Sequence, residues 1–256
     1  MSYYYTRNGY AIVARAEGNT GHWFGGEPQH AGAQCPVCRI PLVLLADLDC
    51  AQIKKKEKGK LFHSLRRLPL YYCWRCCAKH LTYRIIGGRR IKILRNEGKH
   101  QGTDFPYEHF PRSFPKRPAA LVPIKYEFAR LLAVYQEVDE DWLSDKDRRA
   151  IRKGMRALRH SGFSANDINR HQIGGLLGLI QGHERVGCPN STCKSHQSFE
   201  AGYATQMKEL AVLCNDPRSG LPMVDASEHL HWNEWVQVVF WVCEECLAIT
   251  ASNRCD

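Results

Sequence analysis

Eight of the twelve cysteines in this 256-residue chain fall into four close pairs, and nothing else in the sequence restricts its fold as strongly. The pairs are Cys35-Pro-Val-Cys38, Cys73-Trp-Arg-Cys76, Cys188-Pro-Asn-Ser-Thr-Cys193 and Cys243-Glu-Glu-Cys246. Two to four intervening residues let one turn supply two corners of the tetrahedron that Zn²⁺ prefers. Taken in order, the pairs predict two structural Zn²⁺ sites, one from Cys35, Cys38, Cys73 and Cys76 and one from Cys188, Cys193, Cys243 and Cys246. The Cys76-Cys77 dipeptide leaves the fourth ligand of the first site open, with the two-residue spacing favouring Cys76. Four thiolates close the coordination shell, so no chemistry is expected at either ion. A redox dithiol would need a βαβ context that the pattern does not contain. His183 and His196 lie close to the second set as alternative ligands. Cys50, Cys214 and Cys255 read as buried apolar residues.

The N-terminus, Met-Ser-Tyr-Tyr-Tyr-Thr-Arg, carries no apolar signal region, and no apolar run approaches the roughly 18 residues of a membrane span. The expectation is a soluble cytoplasmic protein with no membrane partner, where thiols hold metal rather than form disulfides. The formal charge is +10, from 36 basic and 26 acidic residues. Such a balance permits nucleic acid, an anionic surface or an acidic protein as partner, without choosing between them.

Along the chain, strands are expected over residues 9–15, 40–48 and 68–74, with a hairpin over 81–86 and 91–94 turning at Gly87-Gly88. Five prolines between residues 100 and 124 exclude a helix there and suggest a linker. Helices are expected over 125–138 and 145–159, the second capped by Ser144, with Ile151, Met155 and Leu158 on one face and basic residues over the rest. Residues 207–214 and 235–242 then read as strands matching 42–49 and 68–72. Each block runs double glycine (Gly25-Gly26, Gly174-Gly175), cysteine turn, strand, excursion, strand, cysteine turn. The expected fold is α+β: two similar β-rich halves, each with a zinc-ribbon-like four-cysteine site, and a helical insertion between them. The expected boundaries are 1–100 for the first half, 101–124 for the Pro-rich linker, 125–165 for the basic helical segment and 166–256 for the second half.

His22-Trp-Phe-Gly-Gly-Glu-Pro, followed by a strand ending in Leu45-Ala46-Asp47-Leu48, resembles the first half of the YwqG-like bacterial proteins. His171-Gln-Ile-Gly-Gly with Ile180-Gln181, Glu209-Leu-Ala-Val-Leu-Cys-Asn-Asp and His231-Trp-Asn-Glu-Trp resemble their second half. Leu176-Leu177-Gly178 stands where that family often has a proline and an aromatic, its acidic-glycine turn near Asn233 is missing, and the Pro-rich basic middle is outside its pattern. The resemblance implies an α+β fold of two similar halves, with zinc-binding cysteines in some members. It brings no enzymatic activity. It does bring an association of some relatives with toxin systems, as proposed immunity factors.

Gly-x-Ser-x-Gly, Walker-type and His-Glu-x-x-His motifs are missing, and the double glycines suit close backbone packing better than phosphate binding. A non-enzyme is expected. His171 reads as a structural histidine rather than the lining of a groove, and His229 and His231 read as surface residues. The first expectation for function is a zinc-stabilised protein-binding module, in its narrower form an immunity protein neutralising a toxin domain, with its contact residues unknown. Asp139-Glu140-Asp141 with Glu137 is the one dense acidic run available as a contact patch, a helix-end loop being its bland reading. The alternative is a zinc-ribbon-type nucleic-acid binder using Lys54 to Lys60 with Arg66-Arg67, Arg89-Arg90 with Lys92 and Arg95, and Arg148 to Arg159, with Tyr71, Tyr72 and Trp74 as stacking surfaces. Against it, those aromatics lie in apolar strands that favour burial.

Overall fold

The computed structural model describes residues 8–15, 20–53, 60–76, 80–97, 112–137, 143–160, 171–179, 182–200, 206–214 and 236–255. The strands are β1 (Gly9–Ala14), β2 (His22–Phe24), β3 (Val43–Asp49), β4 (Arg67–Tyr72), β5 (Leu81–Ile86), β6 (Arg90–Asn96), β7 (Arg117–Ile124), β8 (Gln172–Ile173), β9 (Lys208–Cys214), β10 (Val236–Val242) and β11 (Ile249–Cys255). The helices are α1 (Cys50–Ile53), α2 (Lys60–Ser64), α3 (Tyr126–Glu137), α4 (Asp145–His160) and α5 (Lys194–Glu200). None of the described helices is long and apolar enough to cross a membrane.

All eleven strands join in one antiparallel sheet, in the order β4-β3-β2-β7-β1-β8-β9-β10-β11-β5-β6. β1 lies between the two cysteine-bearing arms, pairing with β7 on one side and β8 on the other. The β5–β6 hairpin follows the first cysteine set in sequence, yet it extends the second arm by pairing with β11. The hydrogen-bonded ladder therefore runs across the boundary expected near residue 100.

The sheet curls until its β4 edge meets the far arm. The Tyr83 hydroxyl on β5 donates to Pro69 O (2.9 Å) and accepts from Tyr71 N (3.0 Å) on β4. The Tyr72 hydroxyl donates to Asn253 Oδ1 on β11 at 3.1 Å. Tyr71, Tyr72 and Tyr83 are fully buried, and so is Trp74 within 1 %. This burial removes the stacking surfaces of the nucleic-acid reading: the apolar strands carry these rings into the core.

Residues 117–124, expected as linker, form β7 in the middle of the sheet. Two prolines are tolerated there because each lies just past the end of a neighbouring strand, although the Pro118 carbonyl still accepts from Arg15 N at 2.9 Å. Pro118 pairs with Trp23 of β2 at the point where β1 has ended, and Pro123 pairs with Tyr10 of β1 beyond the end of β2.

The strand period of two sorts β10 between two cores. Val236, Val238, Phe240 and Val242 enter the main core with Leu44, Leu70, Tyr83 and Ile249. Val239 and Trp241 enter a second core with Met207, Val212 and the second cysteine set. Burial on both faces explains why the strand reads as an apolar run interrupted only by Gln237, whose buried Nε2 donates to Gly178 O at 3.1 Å.

Helices α3 and α4 cover the outer face of β1 and β7, where Leu158 packs with Ala11, Val13 and Ile124. Ser144 caps α4 as expected: its Oγ accepts from Asp147 N at 3.2 Å and its carbonyl accepts from Arg148 N at 2.9 Å. Ile151 and Met155 pack against Phe128, Leu131, Leu132 and Tyr135 of α3.

Candidate metal centres

Each cysteine set is assembled from two chain segments by the strands beside it. Cys35 and Cys38 lie in the connection between β2 and β3, and Cys73 and Cys76 directly follow β4. Cys188 and Cys193 lie between β8 and β9, the latter just before α5, and Cys243 and Cys246 directly follow β10. Pairing β3 with β4 and β9 with β10 brings the turns at the strand ends together.

Within each set all four sulfurs lie within 4.8 Å of one another. Cys35 Sγ is 3.6 Å from Cys76 Sγ, and Cys38 Sγ is 3.7 Å from Cys73 Sγ. The second set repeats this pairing of first with fourth and second with third, at 3.5 Å for Cys188 and Cys246 and 3.6 Å for Cys193 and Cys243. A disulfide would hold its sulfurs about 2.05 Å apart, so these are thiols. A tetrahedral ion with bonds of about 2.3 Å would set its ligands about 3.8 Å apart, close to what both sets provide. The residues therefore fit a metal ion, with Cys76 as the fourth ligand of the first set; Cys77 lies outside the described residues.

Two of the four turns share one backbone geometry. Arg39 N donates to Cys35 O at 2.9 Å and Cys35 N to Ile40 O at 2.9 Å. Leu247 N donates to Cys243 O at 2.8 Å and Cys243 N to Ala248 O at 2.9 Å. Arg39 and Leu247 are the two non-glycine residues with left-handed backbone among the described residues, at φ of 57° and 59°. That conformation costs roughly 1–2 kcal/mol for an L-residue. It turns the chain back on itself while two thiols point to one centre.

The thiols share charge unevenly. A hydrogen bond from Cys73 holds Cys35 down to about 5, outweighing its burial, and Cys73 is pushed up in return. A hydrogen bond from Cys188 likewise holds Cys243 down to about 4, and Cys188 is raised. Burial raises Cys76 to about 12 and also raises Cys246. Each set thus holds one thiol down and raises two others, so gathering four thiolates requires a cation. Asn96 Nδ2 donates to Cys35 Sγ at 3.0 Å, a contact no spacing rule could reveal because the two lie 61 residues apart.

The histidines near the second set are not ligands. His196 Nδ1 donates to Cys188 O at 2.6 Å, bracing a ligand's backbone, and His183 Nδ1 pairs with Glu209 Oε1 at 2.7 Å. Cys50 and Cys214 are buried in the two cores, and Cys255 ends β11.

His22 and His171 hold the backbone in the same way. His22 Nδ1 accepts from Asp49 N at 3.1 Å, leaving Nε2 to donate to Gln52 Oε1 at 3.0 Å. His171 Nδ1 accepts from Cys214 N at 3.1 Å. Both are buried, His171 with its ring centroid 4.6 Å from that of Phe24. Three residues after each histidine a left-handed glycine, Gly25 or Gly174, donates its N–H to the carbonyl of Leu45 (3.0 Å) or Leu210 (2.8 Å). Those two leucines sit at the irregularities where β3 and β9 slip register against β4 and β10.

Several expected contact residues have other partners or lie elsewhere. Arg67 forks onto Asp47, with Nε 2.9 Å from both carboxylate oxygens, and donates to Gly21 O. Arg95 pairs with Glu97. Lys54 to Gly59, Asp139-Glu140-Asp141, His229 and His231 lie outside the described residues. Comparison of the chain with family models, with curated proteins and with solved structures found no match in any of the three.

Proposed function

We propose that this chain is a non-catalytic binding protein, braced by two structural Zn²⁺ ions, whose partner is another protein. The observation that carries this reading is the closed four-sulfur set, present twice. An ion held by four thiolates offers no open position to water or substrate, so its contribution is folding energy and rigidity. Thiolate softness and a single tetrahedral centre suit zinc, with iron as the other ion that takes such ligands. A rigid surface binds without a large ordering cost, which is what a partner-plugging protein requires.

The paired contacts support one structural unit used twice. His22, Gly25, Leu45 and Asp49 stand to one another as His171, Gly174, Leu210 and Cys214 do. These pairs fall in the segments that resemble the YwqG-like proteins, and they give the His-x-x-Gly-Gly motif a physical role. The motif fixes the bulged strand that presents the cysteine turns. On that resemblance the narrower proposal is toxin neutralisation by a cytoplasmic immunity protein, where reducing conditions keep the thiols free for metal.

The test is capture of partners by the tagged, zinc-loaded chain from lysate of its own cells, treated with nuclease. One stoichiometric protein, retained by wild type and lost when zinc is stripped, is the expected result. Retention of no stoichiometric protein contradicts the proposal.

A further inference from the structure

We propose that the solvent face of α4 binds the phosphate backbone of duplex nucleic acid without regard to base sequence, an activity separate from protein binding and using neither metal centre. The face is defined by its opposite. Ile151, Met155 and Leu158 are buried against α3, β1 and β7, which fixes the rotation of the helix. Arg149, Arg152, Lys153, Arg156 and Arg159 are all exposed on the other side. At 100° per residue these five fall within about a third of the helix circumference, in a row about 15 Å long. The acidic residues of α4 sit in its first turn and are engaged, Asp147 by Ser144 and Asp145 by Arg148. No carboxylate among the described residues pairs with any of the five.

Charge density selects the ligand. One strand of a duplex carries a phosphate every 3.4 Å or so along its axis, so the row spans about four phosphates. Guanidinium forks match phosphate oxygens in pairs, and four of the five cations are arginines. A protein surface with as many carboxylates in 15 Å would repel itself when free. A nucleic-acid strand carries that density covalently, and its condensed counterions are released on binding. Tyr71, Tyr72 and Trp74 are buried and offer no stacking face, and the exposed row on α4 consists of cations alone, so its chemistry matches the backbone rather than single-stranded bases.

The test uses the full zinc-loaded chain and a fluorescent 20-base-pair DNA duplex of arbitrary sequence, followed by anisotropy. Neutralising about four to five phosphates predicts a slope of log K against log salt near −4, or a loss of a few hundred-fold between 50 and 200 mM salt. The double variant Arg152→Glu/Arg156→Glu should bind at least about thirty-fold more weakly at 100 mM salt, with a slope smaller by about 2. Arg152→Gln/Arg156→Gln should show the same change in part, and matching far-UV circular dichroism establishes that either variant is folded. Lys92→Glu, an exposed change on β6, should bind as wild type does. Failure of the wild type to bind the duplex, or variants that bind as tightly as it does, overturns the proposal. Competition by poly-glutamate as strong as by the duplex also overturns it, in favour of an acidic protein surface.

Discussion

At the scale of single residues, the sulfurs and the two buried histidines place the same demand on protons: each works only with a proton removed. A metal ion needs all four thiols of a set deprotonated, so binding releases protons and weakens on acidification. Replacing one ligand leaves three thiolates and an open corner. Cys38→Ser and Cys243→Ser should each lower stability by at least about 4 kcal/mol or yield insoluble protein, because loss of a structural metal is among the few single changes that severe. A folded Cys38→Ser protein indifferent to chelator would contradict the first centre. His22 must stay neutral at Nδ1, because that atom accepts the Asp49 N–H. Burial, the largest influence on it, holds its pKa below the ordinary 6.5. The unfolded chain therefore binds the extra proton first, and the contribution of His22 is present above about pH 6.5 and lost as pH falls through its folded value. His22→Gln keeps an acceptor and does not titrate. Denaturant midpoints measured from pH 7.5 to 5 should show the advantage of wild type over this variant shrinking on acidification. An advantage that grows would contradict the assignment.

At the scale of elements, α4 shows where packing overrides propensity. An alanine at Gly154 would gain about 1 kcal/mol in an isolated helix. Here its Cβ would lie 2.3 Å from Phe128 Cδ2, so the α3–α4 contact must open. Gly154→Ala should lower stability by about 1–2 kcal/mol net, and adding Phe128→Leu should recover part of that loss. A raised melting temperature for the single variant would contradict the packing described. The helices and the cap at Ser144 were legible because period, capping residue and basic face all pointed one way. The cysteine sets were legible because ligand spacing is a local property. β7 was not, since prolines exclude a helix but say nothing about where the neighbouring strands end. Asn96 at Cys35 was not, because a contact across the sheet leaves no trace in spacing.

At the scale of the whole molecule, one curled sheet carries both cysteine sets, and Tyr83 closes the curl. Its hydroxyl satisfies a carbonyl and an amide of β4 in a fully buried site. Tyr83→Phe leaves both backbone groups without that partner, and should cost about 2–4 kcal/mol in chemical denaturation; a change under about 0.5 kcal/mol would show the closure to be incidental. The pairing of β5 with β11 was beyond reach of sequence order, which places the β5–β6 hairpin with the first cysteine block while hydrogen bonding places it with the second. The two sulfur sets lie in different cores, the first in the main core and the second in the core on the other face of β9 and β10. Metal removal should therefore loosen both sides of the sheet. The most direct measurement is elemental analysis of the purified full chain, paired with thermal unfolding before and after chelation. Two zinc ions per chain, and a melting transition that collapses when they are removed, are the predicted result; a chain that is folded, free of bound metal and unchanged by chelator would contradict the account.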